Sequence, residues 1–83
     1  MIIVPVPPFD PSADPALYLW EAMAAHLEAR IKAGDLRRGD RLPAERDLAA
    51  EYGVSVHTAR HAVRELRARG LLITRPVKGT FVT

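Results

Sequence analysis

The hydrophobic positions of this chain fall into helical spacing three times and into strand spacing once. Trp20, Met23, Leu27 and Ile31 recur every three or four residues, with Ala24 beside them, which is the buried stripe of an amphipathic helix. Asp14 and Pro15 read as its start: an N-cap side chain, then a proline at the first helical position, where the missing N–H costs nothing. Gly34 stops it, so the pattern predicts a helix over about 15–33, followed by the loop GDLRRGD. A shorter helix is expected over about 44–52. Pro43 stands at or just before its start, Glu45 and Asp47 suit the positive end of the dipole, and Leu48 and Tyr52 face inward. Gly53 is placed to be its left-handed cap. Ser55 reads as the N-cap of a third helix over about 55–69, its hydroxyl accepting from the N–H of His57 or Thr58. After Gly70, the β-rich runs LLITR and TFV flank PVKG, which predicts a hairpin near 71–82 with Gly79 able to take positive φ. Residues 1–13 contain Pro5, Pro7, Pro8 and Pro11, lack a period, and read as an extended arm, with 14–83 as the folded domain. The order helix, helix, tight turn, helix, hairpin defines an α+β fold that is mainly α.

The third helix divides sharply. At 100° per residue, Ala59, Ala62, Val63 and Leu66 gather on one side, while His57, Arg60, His61, Arg64 and Ala68 lie opposite, with Arg67 at the edge. Thr58 stands on the flank of the first turn. Small alanines let the preceding helix approach across a three-residue turn. The outer side carries donors and positive charge, with Glu65 the one acid, set toward the edge. That is the layout a helix-turn-helix needs, because a helix fits the major groove and its first residues reach base edges. A solvated amphipathic helix has the same pattern, so this helix alone leaves both readings open.

Charge distribution changes the weighting. The 83 residues carry a net charge of +2, yet all 12 Lys and Arg fall at or after Arg30, against six acids there, a surplus of +6. Residues 1–29 hold four acids and no Lys or Arg. A basic body beneath an acidic, proline-rich leader suggests a polyanionic partner. A chain this short supports a modest core and hardly a deep catalytic cleft. There is no cysteine, hence no disulfide or thiolate metal site, and a reducing compartment fits. The start MIIVPVPPF has no basic residue and a short, proline-broken apolar run, unlike a signal peptide. The expected location is the cytoplasm.

At this point the sequence resembles a known family. LPAERDLAAEYGVSVHTARHAVRELRARGLL followed by GTFV is similar to the amino-terminal winged helix-turn-helix of GntR-type bacterial transcription regulators, and LWEAMAAHLEARIKAGDLRRGDRLP matches that family's first helix and following loop. Together the blocks cover Leu19 to Val82. The resemblance implies sequence-specific binding of double-stranded DNA as a transcriptional regulator, by a two-fold homodimer, at least on DNA, over a short inverted repeat. Occluding a promoter would make it a repressor. It places Arg46 at the DNA surface, Ser55, Val56, His57, Thr58 and Arg60 on the turn and recognition helix, and Lys78 and Gly79 in the wing. Arg64 joins them from the basic outer face of the helix. Three departures matter. Val56 stands where many members have arginine, and Ala44 replaces the commoner serine. Val77, preceded by Pro76, takes the wing's first glycine position, which predicts a stiffer, bulkier tip. Members normally continue into a carboxy-terminal domain that binds an effector and dimerises. This sequence stops at Thr83, so it reads either as an excised DNA-binding domain or as a single-domain regulator. Its native-looking Met1 leans toward the second, and no small-molecule effector site is expected within it.

Rival chemistries are poorly supplied. His57 and His61 stand four apart, a spacing that can share a metal, but no third ligand is evident and Arg60 and Arg64 crowd the site. His26 is expected at the exposed edge of the first helix. Ser12 and Ser55 are the only serines, one in the arm and one a cap, and neither a phosphate loop nor a reactive cysteine is present, so no enzyme activity and no cofactor are expected. The serious alternative is a winged-helix module that binds protein, with Tyr18 and Trp20 as its patch, although Trp20 at that spacing suits the core. The arm's Ile2, Ile3, Val4, Val6 and Phe9 would all be exposed unless they pack on this domain or on a partner copy.

Overall fold

Every helix of this protein ends where its sequence offers the backbone something better than another turn. The structure, a computed structural model, describes residues 6–83; Ile2, Ile3 and Val4 of the arm lie outside that range. Its elements are α1 (Leu19–Lys32), α2 (Glu45–Tyr52), α3 (Val56–Ala68), β1 (Leu72–Arg75) and β2 (Gly79–Val82). Gly53 closes α2 in the left-handed conformation at φ 68° and ψ 32°, which only glycine adopts without Cβ strain. Ser55 Oγ then accepts from the Thr58 N–H at 3.0 Å and opens α3.

The start of α1 differs from the expected one. Asp14 does bond locally, its Oδ1 accepting from the Ala16 N–H at 3.0 Å and its carbonyl from the Leu17 N–H at 3.1 Å. That turn is not continued, because Tyr18 is extended at ψ 154° and α1 begins at Leu19. Glu21 reaches back to accept from the Tyr18 N–H at 3.0 Å, a competing start that satisfies an orphan donor one turn later.

The core is drawn from every element. Met23, Ala24 and Leu27 of α1, Leu48, Ala49 and Tyr52 of α2, and Ala59, Ala62, Val63 and Leu66 of α3 are buried together with Leu42, Leu72 and Val82. Helix α3 packs against α1, α2 and β1, and its alanines keep those backbones close. The hairpin is antiparallel, with Leu72 opposite Val82 and Arg75 opposite Gly79. One pairing was not expected. The end of the predicted loop lies along the free edge of β2: Leu42 N–H donates to Thr80 O at 2.8 Å, Val82 N–H to Asp40 O at 2.9 Å and Gly39 N–H to Val82 O at 2.8 Å. This puts Arg41 opposite Phe81 and gives the wing a third, short strand-like edge.

Residues 6–13 of the arm are not simply extended. Asp10 folds it into a turn, accepting from both the backbone and the hydroxyl of Ser12. Phe9 docks on this chain's own domain, its ring centroid 5.6 Å from that of His26 and 5.1 Å from that of Tyr52. His26 is therefore half-buried rather than at an exposed edge. The Pro7 carbonyl, 2.7 Å from His26 Nε2, can only accept, so Nε2 donates. Nδ1 then accepts from the Tyr52 hydroxyl at 2.7 Å, which in turn accepts from Arg30 at 3.3 Å. Burial pushes the Tyr52 phenol above its ordinary range, and Arg30 opposes that shift in part.

Candidate nucleic-acid interface

The first turn of α3 is tied down before it presents anything. Ser55 Oγ accepts from the Thr58 N–H and donates to Thr58 Oγ1 at 3.0 Å. That leaves the Thr58 hydroxyl proton free to be offered outward from a half-buried side chain. His57 beside it is exposed. Val56 is turned partly inward, packed against the core, and so has only part of its surface to offer a ligand.

Further along α3, Arg60 and Arg64 are exposed one turn apart, continuing the stripe that His57 begins. His61 does not share it. Its ring stacks on Trp20 with centroids 3.9 Å apart and planes 15° from parallel, because α1 crosses α3 closely enough for the indole to cover it. The expectation that His61 faces outward is thus corrected. Trp20 is half-buried in the same contact, whereas Tyr18 remains 74% exposed. His61 is thus held in an aromatic stack, and no group of three or more metal-ligating side chains occurs among the described residues.

Arg60 is the hinge of the arrangement. Its Nε and Nη2 both lie 3.0 Å from one oxygen of Glu45, the first residue of α2. The pair straddles the two helices and fixes where the guanidinium starts from. In the sequence Glu45 stands out only for its dipole position; nothing in helical spacing signals a bond between residues 45 and 60. Arg46, the next residue, is exposed and has no acidic partner among the described residues, and neither has Arg64.

The wing approaches the same place. The stretch Arg41–Glu45 and the wing residues Gly79 and Thr80 flank a shallow cleft, with the buried Leu48 and Val63 beneath. Lys78 is exposed at the tip. There Pro76 and Val77 make the centre of a turn closed by the Lys78 N–H to the Arg75 carbonyl at 3.1 Å. Val77 has φ 68°, the described non-glycine residue with positive φ, and its side chain is fully exposed. A positive φ at that place is a type II requirement ordinarily met by glycine. The departure noted in the sequence therefore stores strain at the tip.

The structure thus brings His57, Thr58, Arg60 and Arg64 onto one helix, with Ser55 as its cap. It ties Arg60 to Glu45, the neighbour in sequence of Arg46, and sets Gly79 in the same cleft as Glu45. It turns Val56 partly away. No helix among the described residues is long and apolar enough to cross a membrane.

Comparison with known proteins agrees with this geometry. Residues 19–82 match the profile of the bacterial regulatory proteins of the gntR family. The HTH-type transcriptional regulator Rv1152 of Mycobacterium tuberculosis is 37% identical over 65 residues, covering 78% of this chain but 54% of that protein. The chain therefore spans about half the length of that relative. Among solved structures, YtrA from Sulfolobus acidocaldarius, a GntR-family transcription factor, superposes with a TM-score of 0.83 over 93% of this chain and 81% of its own, at 23% identity. The AraR DNA-binding domain, crystallised with operator ORX1, gives a TM-score of 0.76 at 31% identity over 81% of each chain. Three helices, a two-stranded antiparallel hairpin and a profile match that runs from α1 to the end of β2 place this chain in the GntR family of bacterial transcription regulators.

Proposed function

We propose that this chain binds double-stranded DNA in a sequence-specific manner, with α3 lying in the major groove and the wing beside it. The observation that carries the reading is the division of α3. Ala59, Ala62, Val63 and Leu66 are sealed in the core, while His57, Arg60 and Arg64 face out from a capped, rigid helix start. Thr58 and Arg60 are the base readers, since an arginine fork matches guanine O6 and N7 and a threonine offers both a hydroxyl and a methyl. Ser55, His57, Arg46, Arg64 and Lys78 serve the backbone, fixing register without reading sequence. Gly79 lets the wing lie close, and Val56 offers its remaining surface to a thymine methyl. The role is binding without catalysis, in the bacterial cytoplasm. The DNA-bound form is a homodimer on a short inverted repeat, and it represses by covering a promoter.

Selection of duplexes from a random pool tests this directly. Enrichment of a short inverted repeat is expected, with Arg60→Ala costing about 1–3 kcal/mol on that site and much less on random DNA. A pool that never converges refutes the reading.

A further inference from the structure

Arg41 carries a cation that no role described so far employs, and its side chain has a built seat. Pairing with Phe81 across the edge of β2 places Gly79 diagonally on the same face of the sheet. A Cβ on Gly79 would stand 2.7 Å from Arg41 Nε and 3.5 Å from its Cδ and Cζ. The guanidinium therefore lies across the first residue of β2, in space that exists because residue 79 has no side chain. Arg41 is exposed and has no acidic partner among the described residues, whereas Arg60 has one and Arg30 and Arg69 have two each. Along the same cleft stand Glu45, which holds Arg60, and the wing residues Gly79 and Thr80.

We infer that Arg41 is a further DNA contact, a preset clamp on a backbone phosphate between the recognition helix and the wing, and that Gly79 is glycine partly to seat it. This rests on the DNA-binding reading. A long cationic side chain on the surface ordinarily spends its freedom in solvent, and ordering it weakens any contact it makes. Here the backbone pairing fixes where the stem starts and the missing Cβ leaves room for the guanidinium over the strand, the placement a positioned phosphate ligand requires. A guanidinium aimed at a phosphate adds affinity to every duplex and so carries no sequence information.

The test uses the full chain and anisotropy titrations of the selected duplex and a random one over a range of salt. Arg41→Gln keeps the stem across the wing and removes the charge. It is expected to weaken both duplexes equally and to flatten the slope of log K against log salt by about 0.9 per bound protomer. Between about 50 and about 200 mM salt, the wild-type advantage then shrinks roughly 3.5-fold. Arg41→Lys keeps the slope. Equal slopes for wild type and the Gln variant overturn the assignment, and so does a loss confined to the selected duplex. If the Gln variant melts early, the titrations are run at a temperature where it remains folded, and the same slope comparison with the wild type decides. Should the unaltered chain bind neither duplex, the DNA-binding reading itself fails; should it bind with steep salt dependence that Arg41→Gln leaves alone, only the Arg41 role does.

Discussion

Replacing Glu45 with glutamine should make this protein a better binder of any DNA and a worse judge of its own site. In the free protein Arg60 closes on one Glu45 oxygen through two N–H groups, at 3.0 Å each. Both side chains are about half exposed, 49% and 46%, so the pair is screened and contributes about 0.2–1 kcal/mol. A bidentate contact with guanine contributes about 1–3 kcal/mol of discrimination. If Arg60 reads guanine as proposed, the base wins the exchange by about 1–2 kcal/mol, and Glu45 is a resting place for the fork rather than a trap. Removing the charge has two opposed effects. It takes an anion away from the phosphates, which favours every duplex alike. It also frees a side chain that carries about 2 kcal/mol of rotamer entropy, and that ordering must then be done on the DNA.

Anisotropy titrations of Glu45→Gln on the selected and the random duplex separate these effects. Affinity for random DNA should rise, while the ratio of selected to random affinity falls by up to about fivefold, the factor that corresponds to 1 kcal/mol. In an Arg60→Ala background the same substitution should leave the ratio unchanged, because no fork remains to be positioned. A Glu45→Gln ratio equal to that of the wild type refutes the idea that Glu45 holds Arg60 for its base. Stability is the control, and the expected change in melting is small.

Other parts of the molecule give independent expectations. Val77→Gly should stabilise the protein by about 0.5–1 kcal/mol in urea unfolding, since left-handed strain of about 1–2 kcal/mol is relieved against a smaller entropic cost, and no burial is lost at an exposed tip. Tyr52 has a raised phenol pKa in the folded state, so above about pH 10 the unfolded chain loses its proton first. The contribution of that proton is complete below the unfolded value and declines as pH rises through the folded one. Unfolding free energy should fall at up to about 1.4 kcal/mol per pH unit there, a dependence that Tyr52→Phe removes. Deleting residues 1–10 removes the Phe9 contact and the carbonyl that His26 bonds. It should cost about 1–2 kcal/mol, seen as a melting temperature lower by several degrees, and an unchanged melt sinks the docked-arm account.

What was legible in the sequence follows from how local each signal is. Gly53, Ser55 and Gly70 act within a few residues of themselves, and α2 and α3 begin and end within a residue of where those signals place them. The inward face of α3 was equally plain, because a period of 3.6 needs no knowledge of the partner. Asp14 shows the limit of local reading: it forms the turn it announces, but Glu21 offers a second start and the helix takes that one. The relations that build the site are longer in reach. The Glu45–Arg60 bond joins residues 15 apart, Trp20 covers His61 from another helix, and the seat of Arg41 depends on a missing atom in a strand 38 residues away. None has a period, a cap or a turn residue to betray it. A helical wheel treats solvent as whatever lies opposite the core, and it fails at His61 because α1 occupies that space. The same crossing narrows the outward surface of α3 to the line His57, Arg60 and Arg64. With His61 taken out, what α3 presents is a narrow cationic ridge bounded by α1 on one side and by the wing cleft on the other, a shape suited to one groove approached in one orientation.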